Sequence, residues 1–82
     1  MLTKESLPID KIRVPAKRKR TLEEDRVQAI AEDILENGQL TPIRVRPDKD
    51  GFVLIEGYHR LEAMRALGEE TIDAYRVKAR LH

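Results

Sequence analysis

The sequence predicts an α+β fold, a small mixed β-sheet with two main helices in β-α-β-β-α-β order. Three observations lead there. Val27, Ile30, Ala31, Ile34 and Leu35 recur at i, i+3, i+4, i+7 and i+8, one apolar helical stripe. A second helix-patterned stretch runs from Tyr58 to Leu67. Short alternating or apolar runs stand before, between and after these helices, as strands would. With 82 residues, one domain over 1–82 with a modest core is expected.

The elements follow in order. LPIDKIRVP (residues 7–15) reads as a short strand, with Ile12 and Val14 alternating around Arg13 and Pro15 ending it. Lys17-Arg18-Lys19-Arg20 reads as a basic loop. Thr21 then serves as N-cap of the first helix, and Glu24 closes a capping box three residues on. Asn37-Gly38 stops that helix, the glycine supplying a left-handed turn. After Leu40-Thr41-Pro42, Ile43–Arg46 is an alternating strand and Pro47–Gly51 a hairpin loop. Phe52–Ile55 is apolar on both faces, so it belongs inside the sheet. Gly68 ends the second helix, and Ile72–Val77 is the last strand. The expected core holds Val27, Ile30, Ile34, Leu35, Leu54, Leu61 and Met64.

Composition narrows the chemistry. The chain has no cysteine, which removes disulfides, thiolate metal ligands and thiol catalysis. No apolar run approaches the ~20 residues of a membrane span. No secretory h-region opens the chain, so a cytoplasmic protein without a membrane partner is the expectation. Net charge is +1, but it is unevenly spread. Residues 1–20 hold seven Lys or Arg against two acids, and residues 21–40 one Arg against six. The run Lys17 to Arg20 could therefore meet nucleic-acid phosphates or form a solvated loop.

The turn Glu56-Gly57-Tyr58-His59-Arg60 carries the main functional signal. A helix start leaves its first amides without internal acceptors. The residue in the capping position is Gly57, whose side chain can accept nothing. Amides near Tyr58, His59 and Arg60 should therefore point outward at the positive end of the helix dipole, where an anion binds. Arg60, Met64 and Leu67 share a face, so Arg60 needs an anionic partner. A carboxylate such as Glu56 or Asp73 could serve, and so could a ligand phosphate held by two hydrogen bonds. His59 adds a donor or proton carrier.

At these residues the chain resembles the ParB/sulfiredoxin superfamily. IDKIRVP resembles the first strand of ParB N-terminal domains. RVQAIAEDILENGQLTPIRVRP resembles their helix and the strand entry after it. FVLIEGYHRLEAMRALGEETIDAYRV resembles the box in which a strand ends in Gly-x-x-Arg. The resemblance implies a ParB/sulfiredoxin-like fold and a nucleoside triphosphate, CTP or ATP, with or without Mg²⁺. Gly57 and Arg60 match the ends of the triphosphate-binding turn of partition proteins. Tyr58 and His59 depart from its middle, and Glu62 stands where the family has a further arginine.

His59-Arg60 matches the phosphate-contacting pair of sulfiredoxins, but their catalytic cysteine falls at Tyr58, which excludes sulfinic-acid reduction. Arg26 matches their basic residue before Val-Gln in charge, and Thr41-Pro42 would line the base of the cleft. Glu56 before Gly-x-His-Arg fits the wording of the free-serine kinase branch. It could hold Mg²⁺ or act as a base together with His59, or it could form a salt bridge to Arg60. The leading expectation is a nucleotide-binding, partition- or plasmid/phage-type regulator associated with DNA, with self-association or a larger partition-type partner. The alternatives are a phosphotransferase, NTPase or nuclease, and a DNA-binding protein without nucleotide chemistry.

Overall fold

In the computed structural model, residues 3–39 and 41–78 are described. Leu40 and the ends of the expected 1–82 domain (residues 1, 2 and 79–82) lie outside the described residues. Strand β1 (Lys4–Pro8) leads through a 3-10 turn, Ile9–Lys11, into β2 (Ile12–Arg13). A second 3-10 segment, Ala16–Thr21, precedes α1 (Glu24–Asn37). Strands β3 (Ile43–Asp48) and β4 (Gly51–Glu56) form a hairpin, followed by α2 (Tyr58–Ala66) and β5 (Thr71–Arg76). The five strands make one sheet in the order β1-β5-β3-β4-β2. The fold is α+β, as expected. Its one departure in order is that the first strand is two strands at opposite borders of the sheet.

The registers explain that split. Leu7 pairs with Ile72 in the antiparallel β1–β5 ladder. Ile12 pairs with Phe52 in the parallel β2–β4 ladder. The turn between them is held by the Ile9 amide, which donates to the Glu70 carbonyl at 2.9 Å. The alternation of Ile12 and Val14 located β2, although Val14 lies just past its end and Ile9–Lys11 is a 3-10 turn, and it carried no information on which partner each half would choose. Arg13 then donates to Asp48 at 3.1 Å across the hairpin end. That bond, with a backbone amide at Lys49, holds the Asp48 carboxyl below its ordinary pKa.

The core lies between the sheet and the helices. Ile43 and Val45 of β3, Leu54 of β4, Ile72 and Ala74 of β5 and Leu61 and Met64 of α2 are buried together. As expected, β4 is interior: both Val53 and Leu54, which point to opposite faces, are buried. α2 packs on the sheet and α1 packs mainly on α2.

This second-layer position corrects the expected stripe of α1. Val27 is 7% exposed, whereas Leu35 is 73% exposed and is not a core residue. Ile30 and Ile34 are half-buried. A helix that touches mostly one other helix buries a narrower strip than its pattern allows.

The capping box is also corrected. Leu22 and Glu23 are extended, so the N-cap is Glu23, with no side-chain cap. Thr21 sits two residues too early, and its hydroxyl donates back to the Arg18 carbonyl at 2.7 Å. The basic run is accordingly a 3-10 segment rather than a loop. At the other end Gly38 has φ 74°, and its amide donates to Ile34 at 2.8 Å.

Candidate functional site

Strand β4 delivers the chain to Gly57, which turns it into α2 with φ 106° and ψ 33°. Only glycine takes this conformation without strain. Space imposes the same choice, because a Cβ here would stand 2.6 Å from Ile43 Cγ2. No side chain caps the helix start. The first bond of its turn runs from the Leu61 amide to the Gly57 carbonyl at 2.9 Å. The amides of Tyr58, His59 and Arg60 precede that bond and form the open positive end of the helix.

These amides face a cleft of about 450 Å³. Its walls come from three places: Arg18 and Thr21 of the 3-10 segment, Glu23, Arg26 and Ile30 around the start of α1, and Glu56 to Arg60. A second hollow of about 320 Å³ shares Arg26, Ile30 and Arg60 with it and adds Ala29, Asp33, Ile34 and Thr41. The structure thus brings Gly57, Tyr58, His59, Arg60, Arg26 and Glu56 to one cleft, with Thr41 next to it. Pro42 is half-buried and lines neither hollow.

Arg60 is the residue whose partner was open. Glu56 lies 4.0 Å from Arg44, and Asp73 lies 4.0 Å from Lys4. Among the described residues neither carboxylate pairs with Arg60, and Arg18 and Arg26 form no ion pair either. Three guanidinium groups from three segments therefore share one cleft with two carboxylates, Glu23 and Glu56. The balance favours an anion. Among the described residues no three His, Asp or Glu side chains gather as a metal-ligand set.

His59 and Tyr58 have specific tasks in the geometry. The Glu23 amide donates to His59 Nε2 at 3.1 Å. That nitrogen must therefore carry a lone pair, which places the ring proton of the neutral imidazole on Nδ1. The Tyr58 side chain belongs to the core cluster, with its ring centroid 5.9 Å from that of His59. Burial first, and the charge of Glu62 next, push its phenol above the ordinary value. Tyr58 offers the cleft an amide and a wall, not a nucleophile.

The basic run divides. Arg18 lines the cleft and donates to the Ile55 carbonyl at the end of β4. Lys19 lines a separate hollow with Ile12, Arg13, Val14, Tyr58, Glu62 and Arg65. Lys17 and Arg20 are exposed. Sequence reasoning had grouped all four residues for nucleic acid and missed Arg18, Thr21, Glu23 and Ile30 as cleft residues. A usable signal existed for α1: Arg26, Ile30 and Asp33 fall at i, i+4 and i+7 and face the two hollows. No local pattern announces the Arg18–Ile55 bond.

An uncapped glycine turn at the end of a sheet strand, facing arginines from the 3-10 segment and from α1, defines the cleft of this α+β domain. The ParB N-terminal domain model matches residues 2–81, and the chain belongs to that family. Among relatives, the chromosome-partitioning protein ParB of Myxococcus xanthus is 36% identical over 69 residues, 83% of this chain but 23% of that protein. Sulfiredoxin from Arabidopsis thaliana superposes with a TM-score of 0.84 at 31% identity, covering 94% of this chain and 86% of that one. The C-terminally truncated chromosome-partitioning protein ParB from Caulobacter crescentus, solved with CTP-γ-S, gives 0.81 at 26% identity, over 95% and 46% of the two chains. Free serine kinase with AMP shares the fold, at 18% identity and a TM-score of 0.76 over 90% of this chain and 30% of that one. No helix among the described residues is long and apolar enough to cross a membrane.

Proposed function

We propose that the cleft binds the phosphates of a nucleoside triphosphate, CTP or ATP, in a partition-type regulatory protein that acts with DNA. One observation carries this reading. Arg18, Arg26 and Arg60 converge on an uncapped helix start, and no carboxylate among the described residues neutralises them by an ion pair. The amides of Tyr58 to Arg60 would receive phosphate oxygens. Gly57 would let the ligand approach the backbone, and Arg60 would hold one phosphate through two parallel bonds. Arg26 and Arg18 would close the cleft from the opposite wall, and the Thr41 hollow would take the remainder of the nucleotide. The CTP-γ-S complex of the Caulobacter protein supports a nucleotide as ligand, and the Myxococcus relative supports partition as the setting.

The test combines a thermal-shift screen with one substitution. ATP, ADP, CTP and GTP are screened with and without Mg²⁺, and a true ligand at a hundred times its Kd stabilises the fold by ~2.7 kcal/mol. Arg60→Lys keeps the charge but loses the planar fork. It should weaken the ligand by about 1–3 kcal/mol while the ligand-free melt stays where it was. A destabilised ligand-free variant, together with no nucleotide shifting the wild type, would show that Arg60 is structural.

A second reading, phosphoryl transfer, is favoured by Glu56, an exposed carboxylate on the same cleft wall as Arg60. It requires nucleotide turnover, seen as loss of a phosphoryl group from the nucleotide to water or another acceptor, that depends on added Mg²⁺ and disappears in Glu56→Gln.

A further inference from the structure

We infer that His59 is a positioning residue rather than a phosphate ligand: its neutral imidazole fastens the start of α1 and thereby sets Arg26 against the cleft. The argument starts from a donor that has no alternative role. A backbone amide can only donate, so the 3.1 Å contact from Glu23 to His59 Nε2 requires that nitrogen to accept. An imidazolium has no acceptor nitrogen, and protonation of His59 abolishes the bond.

Glu23 is the N-cap of α1 and has no side-chain cap of its own. Its carbonyl already receives the Arg26 and Val27 amides at 3.1 and 3.0 Å. Its two backbone groups therefore form a relay, with His59 on one side and Arg26 on the other. The residue following Gly57 and Tyr58 in the anion-facing turn thus determines where the opposite arginine stands. The same element that turns its open amides to the cleft thus also holds the facing wall.

The surroundings of the ring are mixed. Arg18 faces it from the 3-10 segment, Glu23 and Arg26 from the start of α1 and Glu56 from the end of β4, with Tyr58 and Arg60 beside it on α2. A direct phosphate contact through Nε2 would need a proton on that nitrogen, where the fastening needs a lone pair. The fastening and a direct phosphate contact through Nε2 are therefore competing uses of one nitrogen, and they predict opposite responses to pH.

The effect on ligand rests on the nucleotide reading, but the fastening itself does not. The first arm therefore uses ligand-free wild-type protein. In a ¹⁵N NMR titration, the Glu23 amide should shift with the same midpoint as the His59 ring, and its hydrogen exchange should accelerate once the ring is protonated. A Glu23 amide indifferent to that midpoint overturns the inference, whatever the protein binds.

The second arm measures the Kd of the nucleotide found in the thermal-shift screen, for wild type and for His59→Gln, between about pH 8 and pH 5, the window in which histidine changes charge. Gln keeps a neutral acceptor, and the ratio of the two Kd values cancels the titration of the ligand's own phosphates. The ratio of wild-type to variant Kd should rise about tenfold toward low pH, the loss of one hydrogen bond. A ratio that falls makes His59 an imidazolium phosphate ligand, and a flat ratio removes its influence on the cleft. Either result overturns the inference. If no nucleotide binds, the phosphate reading fails while the first arm still decides the fastening.

Discussion

At Gly57 two constraints meet that are usually separate. The backbone is left-handed at φ 106°, and a Cβ would collide with Ile43 at 2.6 Å. Gly38 offers the matched control: it is also left-handed, at φ 74°, but a Cβ there meets nothing within 4 Å. Gly57→Ala should therefore destabilise by roughly 2–5 kcal/mol, combining backbone strain with overpacking. Gly38→Ala should cost only about 1 kcal/mol. Urea denaturation of the two variants beside wild type checks the difference. Equal losses would mean that Ile43 moves aside freely. The sequence announced Gly57 through the missing cap, but not through Ile43, because a contact between residues 43 and 57 leaves no local trace. His59 was legible as a residue of the turn. Its commitment to Glu23 was not, since it depends on where a second helix begins.

At the scale of elements, the least legible feature is a glutamine that behaves as a piece of strand. Gln39 Nε2 donates to the Asp73 carbonyl at 2.9 Å, and its Oε1 accepts the Asp73 amide at 2.7 Å. The side-chain amide thus pairs with β5 as a neighbouring strand would, just ahead of β3. It also donates to the Thr41 carbonyl at 3.1 Å, on the rim of the hollow next to the cleft. Gln39→Ala strands a part-buried backbone pair and should cost about 1–3 kcal/mol. Gln39→Glu, which cannot donate, should recover little of it; full recovery would show that the donor side contributes nothing.

The helices give a second contrast. Leu61 is fully buried, so Leu61→Ala should lose about 2–5 kcal/mol. Leu35 is exposed, so Leu35→Ala should stay within about 0.5 kcal/mol of wild type. Thermal melts of the pair decide this, and a large loss at Leu35 would mean that its face is covered in solution. Periodicity located both helices and all the interior strands. It failed for Leu35 because it measures which side of a helix is apolar, not how much of that side a neighbour reaches.

For the molecule as a whole, charge and cleft are joined by the segment Ala16–Thr21. Arg18 is turned inward and tied to Ile55, while Lys17 and Arg20 are exposed and Lys19 borders another hollow. If the protein acts with DNA through this segment, replacing Lys17, Lys19 and Arg20 with Gln should reduce the slope of log affinity against log salt by up to about 3. Nucleotide affinity should be unchanged. Arg18→Gln should show the reverse pattern. Fluorescence anisotropy at several salt concentrations separates the two, and equal effects on both ligands would mean that the segment works as one undivided patch. The overall fold class was readable because local patterns fix strands and helices in order. The division of labour within the basic run was not, because four adjacent cations look alike until the backbone assigns each a direction.

The two border strands have a further consequence, in time rather than in space. β1 and β2 are synthesised before any of their partners. Leu7 must wait for Ile72, and Ile12 for Phe52. At ribosomal speeds of ~5–20 residues per second, Leu7 emerges roughly 3–13 s ahead of its neighbour. Throughout that interval Leu7 has no strand to pair with, whereas Ile12 can join β4 as soon as Phe52 has emerged. The two borders of the sheet thus become available at different times, the β2 border once β4 has emerged and the β1 border only after β5.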